Sequence, residues 1–123
     1  MKARAISGLR SYLAGKAAED SVMQAYVARG HRLLTRRWRG PSGEIDLIFE
    51  KGGEIVFVEV KSSRSLAAAA AHLTRRQIGR LLASAEAALG QFASGSLTPM
   101  RFDVALVDGA GRIDVIPNAL QAG

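Results

Sequence analysis

Apolar and polar positions along the chain change period several times, and each change marks an element. From about Ser7 to Arg29 the chain is rich in Ala and Leu and lacks proline, and Gly30 follows where a C-terminal cap belongs, which predicts a helix. Gly15, Glu19, Val22, Met23 and Tyr26 recur at helical spacing and share one face of it. Glu19 therefore rides with residues that should pack inward. On the pattern alone it is either a buried acid or a glutamate at the edge of the stripe, reaching water.

His31 to Trp38 can form a first strand around Leu33 and Leu34, closed by the turn residues Gly40, Pro41, Ser42 and Gly43. A second strand runs from about Glu44 to Glu50, Lys51-Gly52-Gly53 reverses the chain, and a third runs from Glu54 to Lys61. Ile55-Val56-Phe57-Val58 is apolar on both faces, so the third strand should be central, and the short turn makes the pair an antiparallel hairpin. After a polar loop, Ser62 to Ser65, the alanine-rich run Leu66 to Ala71 is open to either a helical or a mobile reading. A second helix is expected from Leu73 to Phe92, with Ile78, Leu81, Leu82, Ala85 and Leu89 facing inward. A loop over Gly95 to Pro99, a strand over Arg101 to Val107, a turn at Asp108 to Gly111 and an edge strand ended by Pro117 complete the chain.

The expected order is helix, three strands, helix, then one or two strands, which makes an α/β sandwich around a mixed sheet. The hairpin excludes a purely parallel doubly wound sheet. No repeat or linker divides the 123 residues, so one domain is expected over 1–123, with an ordered core of about 7–116.

Composition adds a partner class. Seventeen Lys and Arg against eleven Asp and Glu give a net charge of +6, and so basic a chain attracts polyanions, nucleic acid first among them. No run of about 18 apolar residues occurs, so no membrane partner is expected. The basic start (Lys2, Arg4, Arg10) is followed by no apolar segment of a secretory signal. Cysteine is absent, which removes disulfides and thiolate metal sites and suits a cytoplasmic location. With two histidines far apart, His31 and His72, a three-histidine zinc site is excluded.

Candidate chemistry sits in the hairpin. Asp46 lies in the second strand and Glu59 and Lys61 in the third, inside otherwise apolar runs where charge is costly unless paired or bound to a cation. Alternation puts Glu59 and Lys61 on one face, and Asp46 on a face with Glu44 and Ile48. If the register sets the two carboxylates opposite each other, their repulsion calls for a divalent cation or a raised pKa. Mg²⁺ takes one or two carboxylates plus phosphate oxygens and water, and a lysine two residues on can orient the attacking water or offset developing charge. The same residues also admit a plain Glu59–Lys61 edge salt bridge. No Walker-type loop, dinucleotide-binding glycine motif or serine-hydrolase elbow is present, and aromatic residues are too sparse for a base-stacking platform.

Four motifs then fall in order: Gly15 and Glu19 with Ala25, Tyr26 and Gly30; GEIDLI over Gly43 to Ile48; VFVEVK over Val56 to Lys61; and RFDVA over Arg101 to Ala105. On these, across roughly Gly15 to Val107, the chain resembles the YraN family of small bacterial proteins assigned to the restriction-endonuclease-like fold. The resemblance implies Asp46 and Glu59 as metal ligands with the backbone carbonyl of Val60, Lys61 as the catalytic lysine, and Glu19 as a further acid completing the cluster. It also implies Mg²⁺ or Mn²⁺ as cofactor. Ile45 stands where the wider nuclease superfamily has proline; the family it resembles uses isoleucine there. Arg37 stands where relatives usually carry asparagine, a departure open to two readings: an arginine that contacts phosphate, or an altered turn. Arg101 and Asp103 match the fourth motif either as a structural pair or as part of the site.

The expected function is metal-dependent hydrolysis of nucleic-acid phosphodiesters, DNA ahead of RNA, possible substrates being branched or single-stranded. Arg36, Arg37 and Arg39, with Arg75, Arg76 and Arg80 at the second helix, would grip the backbone. A homodimer is a plausible assembly, since so small a domain has little surface for both arms of a duplex. The alternative is a nucleic-acid-binding or interaction module with a vestigial site.

Overall fold

The computed structural model describes residues 2–119, with side chains from residue 14 onward; the basic side chains Lys2, Arg4 and Arg10 fall outside that range. Helix α1 (Lys2–Ala28) leads into three strands, β1 (Arg32–Gly40), β2 (Gly43–Lys51) and β3 (Glu54–Ser62). Helices α2 (Leu66–Ala71) and α3 (Arg75–Leu89) follow, then a single 3₁₀ turn over Gly95–Leu97, then β4 (Met100–Val107) and β5 (Ile113–Ile116). The alanine-rich run is thus a helix of its own, begun by the Ser65 hydroxyl, which accepts from the Ala68 N–H at 3.1 Å. That adds an element to the expected order. The second expected helix starts later than its apolar stripe suggests, because Thr74 and Gln77 form a reciprocal capping box and leave Leu73 outside.

α1 ends as its sequence predicts. Gly30 adopts φ +89°, the Gly30 N–H returns to Val27 O at 3.0 Å and the His31 N–H to Tyr26 O at 3.1 Å, a Schellman closure that a side chain at Gly30 would strain.

The five strands form one sheet in the order β1-β2-β3-β4-β5, antiparallel except for the parallel pair β3/β4, whose crossover carries α2 and α3. Leu47, Phe49, Val56, Val58, Ala105 and Val107 pack under Ala18, Val22 and Tyr26 of α1. Ile45, Ile48, Ile55, Phe57 and Phe102 pack under Leu81, Ala85, Ala88 and Leu89 of α3. Helices thus cover both faces, and β3, fully buried over Ile55–Glu59, is the central strand its composition predicts.

One feature of the sheet departs from regular alternation. Ile45 and Ile48 face α3, whereas Leu47 and Phe49 face α1, so the two-residue period breaks around Asp46. On β1 Arg37 lies across from Asp46, between the pairs Arg36↔Leu47 and Trp38↔Ile45, and has φ +52°. A left-handed residue in mid-strand costs about 1 kcal/mol when it carries a side chain. Both strands therefore twist out of phase at one spot, and the candidate site is built there.

Candidate active site

Asp46 and Glu59 meet at the end of the β2/β3 ladder. Regular pairing stops at Leu47↔Val58, and beyond it the Asp46 Oδ2 accepts the Val60 N–H at 2.8 Å, filling the place a backbone carbonyl would take. The two carboxyl groups are in hydrogen-bond contact, and Lys61 Nζ lies 3.6 Å from Glu59 Oε2. Burial first, then the contact and charge of Asp46, push the Glu59 carboxyl up to about 9, with Lys61 only partly offsetting them. Without a cation, these surroundings favour the protonated form of Glu59.

Each acid opens onto a different cavity. Asp46 lines one of about 260 Å³ on the α1 side, together with Glu19, Lys16, Arg37, Val60 and Ser62. Glu59 lines one of about 90 Å³ toward α3, with Ser42, Gly43, Gln77 and Arg80. The broken alternation is what turns Asp46 toward α1, so the carboxyl pair bridges two openings. A larger cavity, about 570 Å³ between α1 and the loops after β3 and β4, touches the site only through Ser62. Its one acid, Asp108, is taken up by the Ala110 and Arg112 N–H groups and the Arg112 guanidinium, so the chemistry does not lie there.

Glu19 is buried, and its immediate partners are cations. Its Oε1 lies 3.5 Å from both Arg36 Nη2 and Arg37 Nε, while Arg36 also holds Asp20 at 2.7 Å. Among the described residues no group of three or more His, Cys, Asp or Glu side chains converges. The oxygens available to a cation are those of Asp46 and Glu59, with Glu19 in the same cavity as Asp46 but held back.

The basic residues divide. Arg39 is exposed and 3.8 Å from Glu44. Arg75, Arg76 and Arg80 are exposed and form no ion pair among the described residues, and only Arg80 reaches the carboxyl pair's surroundings. Arg75 and Arg76 occupy the first turn of α3, the end of a helix where acidic side chains are favoured.

Arg101 and Asp103 lie apart from this site. Asp103, 1% exposed, accepts from the Tyr26 hydroxyl at 2.6 Å, Arg101 Nε at 2.9 Å and the Asn118 N–H at 3.0 Å, while Arg101 also reaches Glu54. Burial, then Asp103, hold the Tyr26 phenol protonated, its pKa raised well beyond the ordinary value. The pair is the pin of β4 against α1.

With the geometry in place, comparison with known proteins fixes the family. The sequence pattern of the uncharacterised protein family UPF0102 matches residues 18–107. The chain belongs to that family. A UPF0102 protein of Ruegeria pomeroyi is 56% identical over 123 residues, 100% of each chain. One of Cereibacter sphaeroides is 51% identical over 117 residues, 95% of this chain and 100% of its own. One of Roseobacter denitrificans is 46% identical over 121 residues, covering 98% and 94%. The UPF0102 match runs from just before Glu19 to the end of β4, so the carboxyl pair, Lys61 and Asp103 all lie within it.

The sequence names Arg37 as a residue that would grip phosphate but does not foresee its left-handed backbone, since arginine is no marker of one. Sequence reading misses Ser84. Ser84, fully buried on α3, donates to Gly43 O at 3.0 Å and fixes the turn beside Glu59; a serine in an apolar stripe was the available sign.

Proposed function

We propose that this UPF0102 protein is a Mg²⁺- or Mn²⁺-dependent nuclease with a restriction-endonuclease-like fold, hydrolysing phosphodiester bonds of nucleic acid in the cytoplasm, DNA ahead of RNA. The observation that carries the reading is the contact between the half-buried Asp46 carboxyl and the buried Glu59 carboxyl, with one lysine at 3.6 Å from Glu59. Two touching carboxyls hold either a shared proton or a cation, and hard oxygen donors suit Mg²⁺ or Mn²⁺. The residues present fit such an ion, with Asp46, Glu59 and the Val60 carbonyl as its protein ligands and substrate phosphate completing the shell.

When bound, the cation would polarise the phosphoryl group and lower the pKa of a water. The chain's own groups do the rest. Lys61, directed at Glu59 from the same strand face, orients the attacking water and offsets charge growing on the phosphate oxygens. Arg80 stands at the Glu59 opening to take an adjoining phosphate, and Arg37 at the Asp46 opening does the same. Arg75, Arg76, Arg36 and Arg39 extend the basic surface that neutralises backbone charge farther out. A homodimer would give each arm of a duplex its own site.

The test is cleavage of labelled single-stranded, duplex and branched DNA, and of RNA, in Mn²⁺, with Lys61→Ala purified in parallel. Activity present in the wild type and lost in the variant is the expected result, and it names the substrate class. No activity above the variant on any substrate sinks the nuclease reading and leaves a binding module, whose affinity would fall steeply with salt whether or not metal is present.

A further inference from the structure

Glu19 and Arg37 face each other across the cavity that holds Asp46, and their pairing is the part of the site that a simple carboxylate cluster does not explain. The Glu19 side chain is 10% exposed, so its charge needs a partner, and Arg37 Nε supplies one at 3.5 Å. Arg36 offers a second contact at 3.5 Å, but its closer partner is Asp20 at 2.7 Å. Arg37 alone of the two lines the Asp46 cavity. It does so from φ +52°, a conformation that glycine or asparagine adopts readily and arginine does not. Backbone economy therefore favours another residue at this position, and the guanidinium itself is the reason for arginine.

Resting on the cation reading above, we propose that Arg37 is a positioning residue that holds Glu19 in reserve. In the free protein its guanidinium neutralises Glu19 and keeps that carboxylate off the Asp46–Glu59 pair. A phosphodiester entering the cavity offers Arg37 a second anion with bidentate geometry. Glu19, released in part, then turns its oxygens toward the ion held by Asp46. The third acid thus joins the cation only with substrate in place, and tight metal binding is coupled to substrate binding.

Calorimetric titration with Mn²⁺ alone tests this without reference to cleavage. Arg37→Asn and Arg37→Gly both keep the left-handed backbone and should fold, checked by thermal melting. Freeing Glu19 adds a charged ligand, so both variants should bind Mn²⁺ about tenfold more tightly than wild type. The gain should vanish when Glu19→Gln is added. Arg37→Lys, which keeps the charge, should stay near wild type. Dimethyl phosphate, an inert diester, should tighten Mn²⁺ binding in the wild type and leave Arg37→Asn unchanged. Mn²⁺ binding that Asp46→Asn abolishes but Arg37→Asn does not alter overturns the proposal while sparing the cation site. Absence of any Asp46-dependent Mn²⁺ binding in all variants overturns the cation site and this proposal together.

Discussion

Asp103 on β4 and Glu59 on the adjacent β3 are both buried acids of one sheet, yet their surroundings are built on opposite plans. Asp103 receives three donors within 3.0 Å, one of them a guanidinium and another a tyrosine held protonated by its burial. Its charge is satisfied where it stands. Glu59 instead touches a second carboxyl and has a single lysine at 3.6 Å. An arrangement like that of Asp103 fastens an α1–β4 contact across 77 residues of chain. One like that of Glu59 leaves electrostatic demand unmet, to be relieved by something that binds. A carboxyl perturbed as Glu59 is marks a candidate functional site, whereas a buried acid with all its partners in place marks structure.

The sharpest way to break this comparison is to disable each acid in turn and measure both stability and cleavage. Asp46→Asn keeps an oxygen for the Val60 N–H but cannot share charge with a cation, so cleavage should fall by about a thousandfold or more, with stability changed by less than about 1 kcal/mol. Asp103→Ala should do the reverse. It strands the hydroxyl of Tyr26, leaves the half-buried Arg101 with Glu54 alone, and should lower the unfolding free energy by about 3 kcal/mol in urea titration, with cleavage per folded molecule retained. A folded Asp103→Ala protein without activity would show that the two regions are one site.

Proton linkage sharpens the same contrast at smaller amplitude. In the unfolded chain Glu59 ionises at an ordinary carboxylate pKa, whereas in the folded chain it holds its proton up to about 9. Over that window the folded state binds more protons than the unfolded one, so stability must decline as pH rises and be highest on the acid side. With EDTA present, the wild type should lose at least about 1 kcal/mol relative to Glu59→Gln between roughly pH 5 and pH 9. Glutamine carries no charge to desolvate, so the variant's profile lacks this slope. Parallel profiles for the two proteins would mean that Glu59 ionises freely and that the carboxyl contact exerts no strain.

Much of this layout was legible in the chain. Apolar runs and the Gly52-Gly53 turn placed the hairpin, and the carboxyl, carboxyl and lysine positions within it stood out because charge in a central strand is expensive. The facing of Asp46 was not legible. Alternation sets it beside Ile48, toward α3, but the left-handed Arg37 across from it breaks the period and brings Asp46 into the Glu19 cavity. Such a twist belongs to the pairing of two strands and leaves no mark in either one. The grip of Tyr26 on Asp103 was hidden for a similar reason: pattern arguments see neighbours three or four residues apart, not contacts between the first helix and the fourth strand. The Thr74–Gln77 capping box, by contrast, was written locally and could have moved the predicted start of α3 to Arg75.

The smallest expected effect isolates what the fastened acid gains from one donor. Tyr26→Phe removes the 2.6 Å bond to Asp103 but keeps the ring, which stacks on Phe49 with centroids 4.7 Å apart. Arg101 and the Asn118 N–H still serve the other carboxylate oxygen, so only Oδ2 loses its partner. A hydrogen bond to a charged acceptor is worth about 1.5 kcal/mol or somewhat more, so the urea midpoint should fall by roughly half as much as in Asp103→Ala. Cleavage and Mn²⁺ affinity should not move, because no atom of this cluster touches the carboxyl pair. A loss as large as that of Asp103→Ala would mean that the tyrosine hydroxyl, rather than the arginine, carries the buried charge. A change in Mn²⁺ affinity would mean that α1 relays strain from Tyr26 to Glu19, two turns away on the same helix face, and the separation drawn between the fastened acid and the open pair would no longer hold.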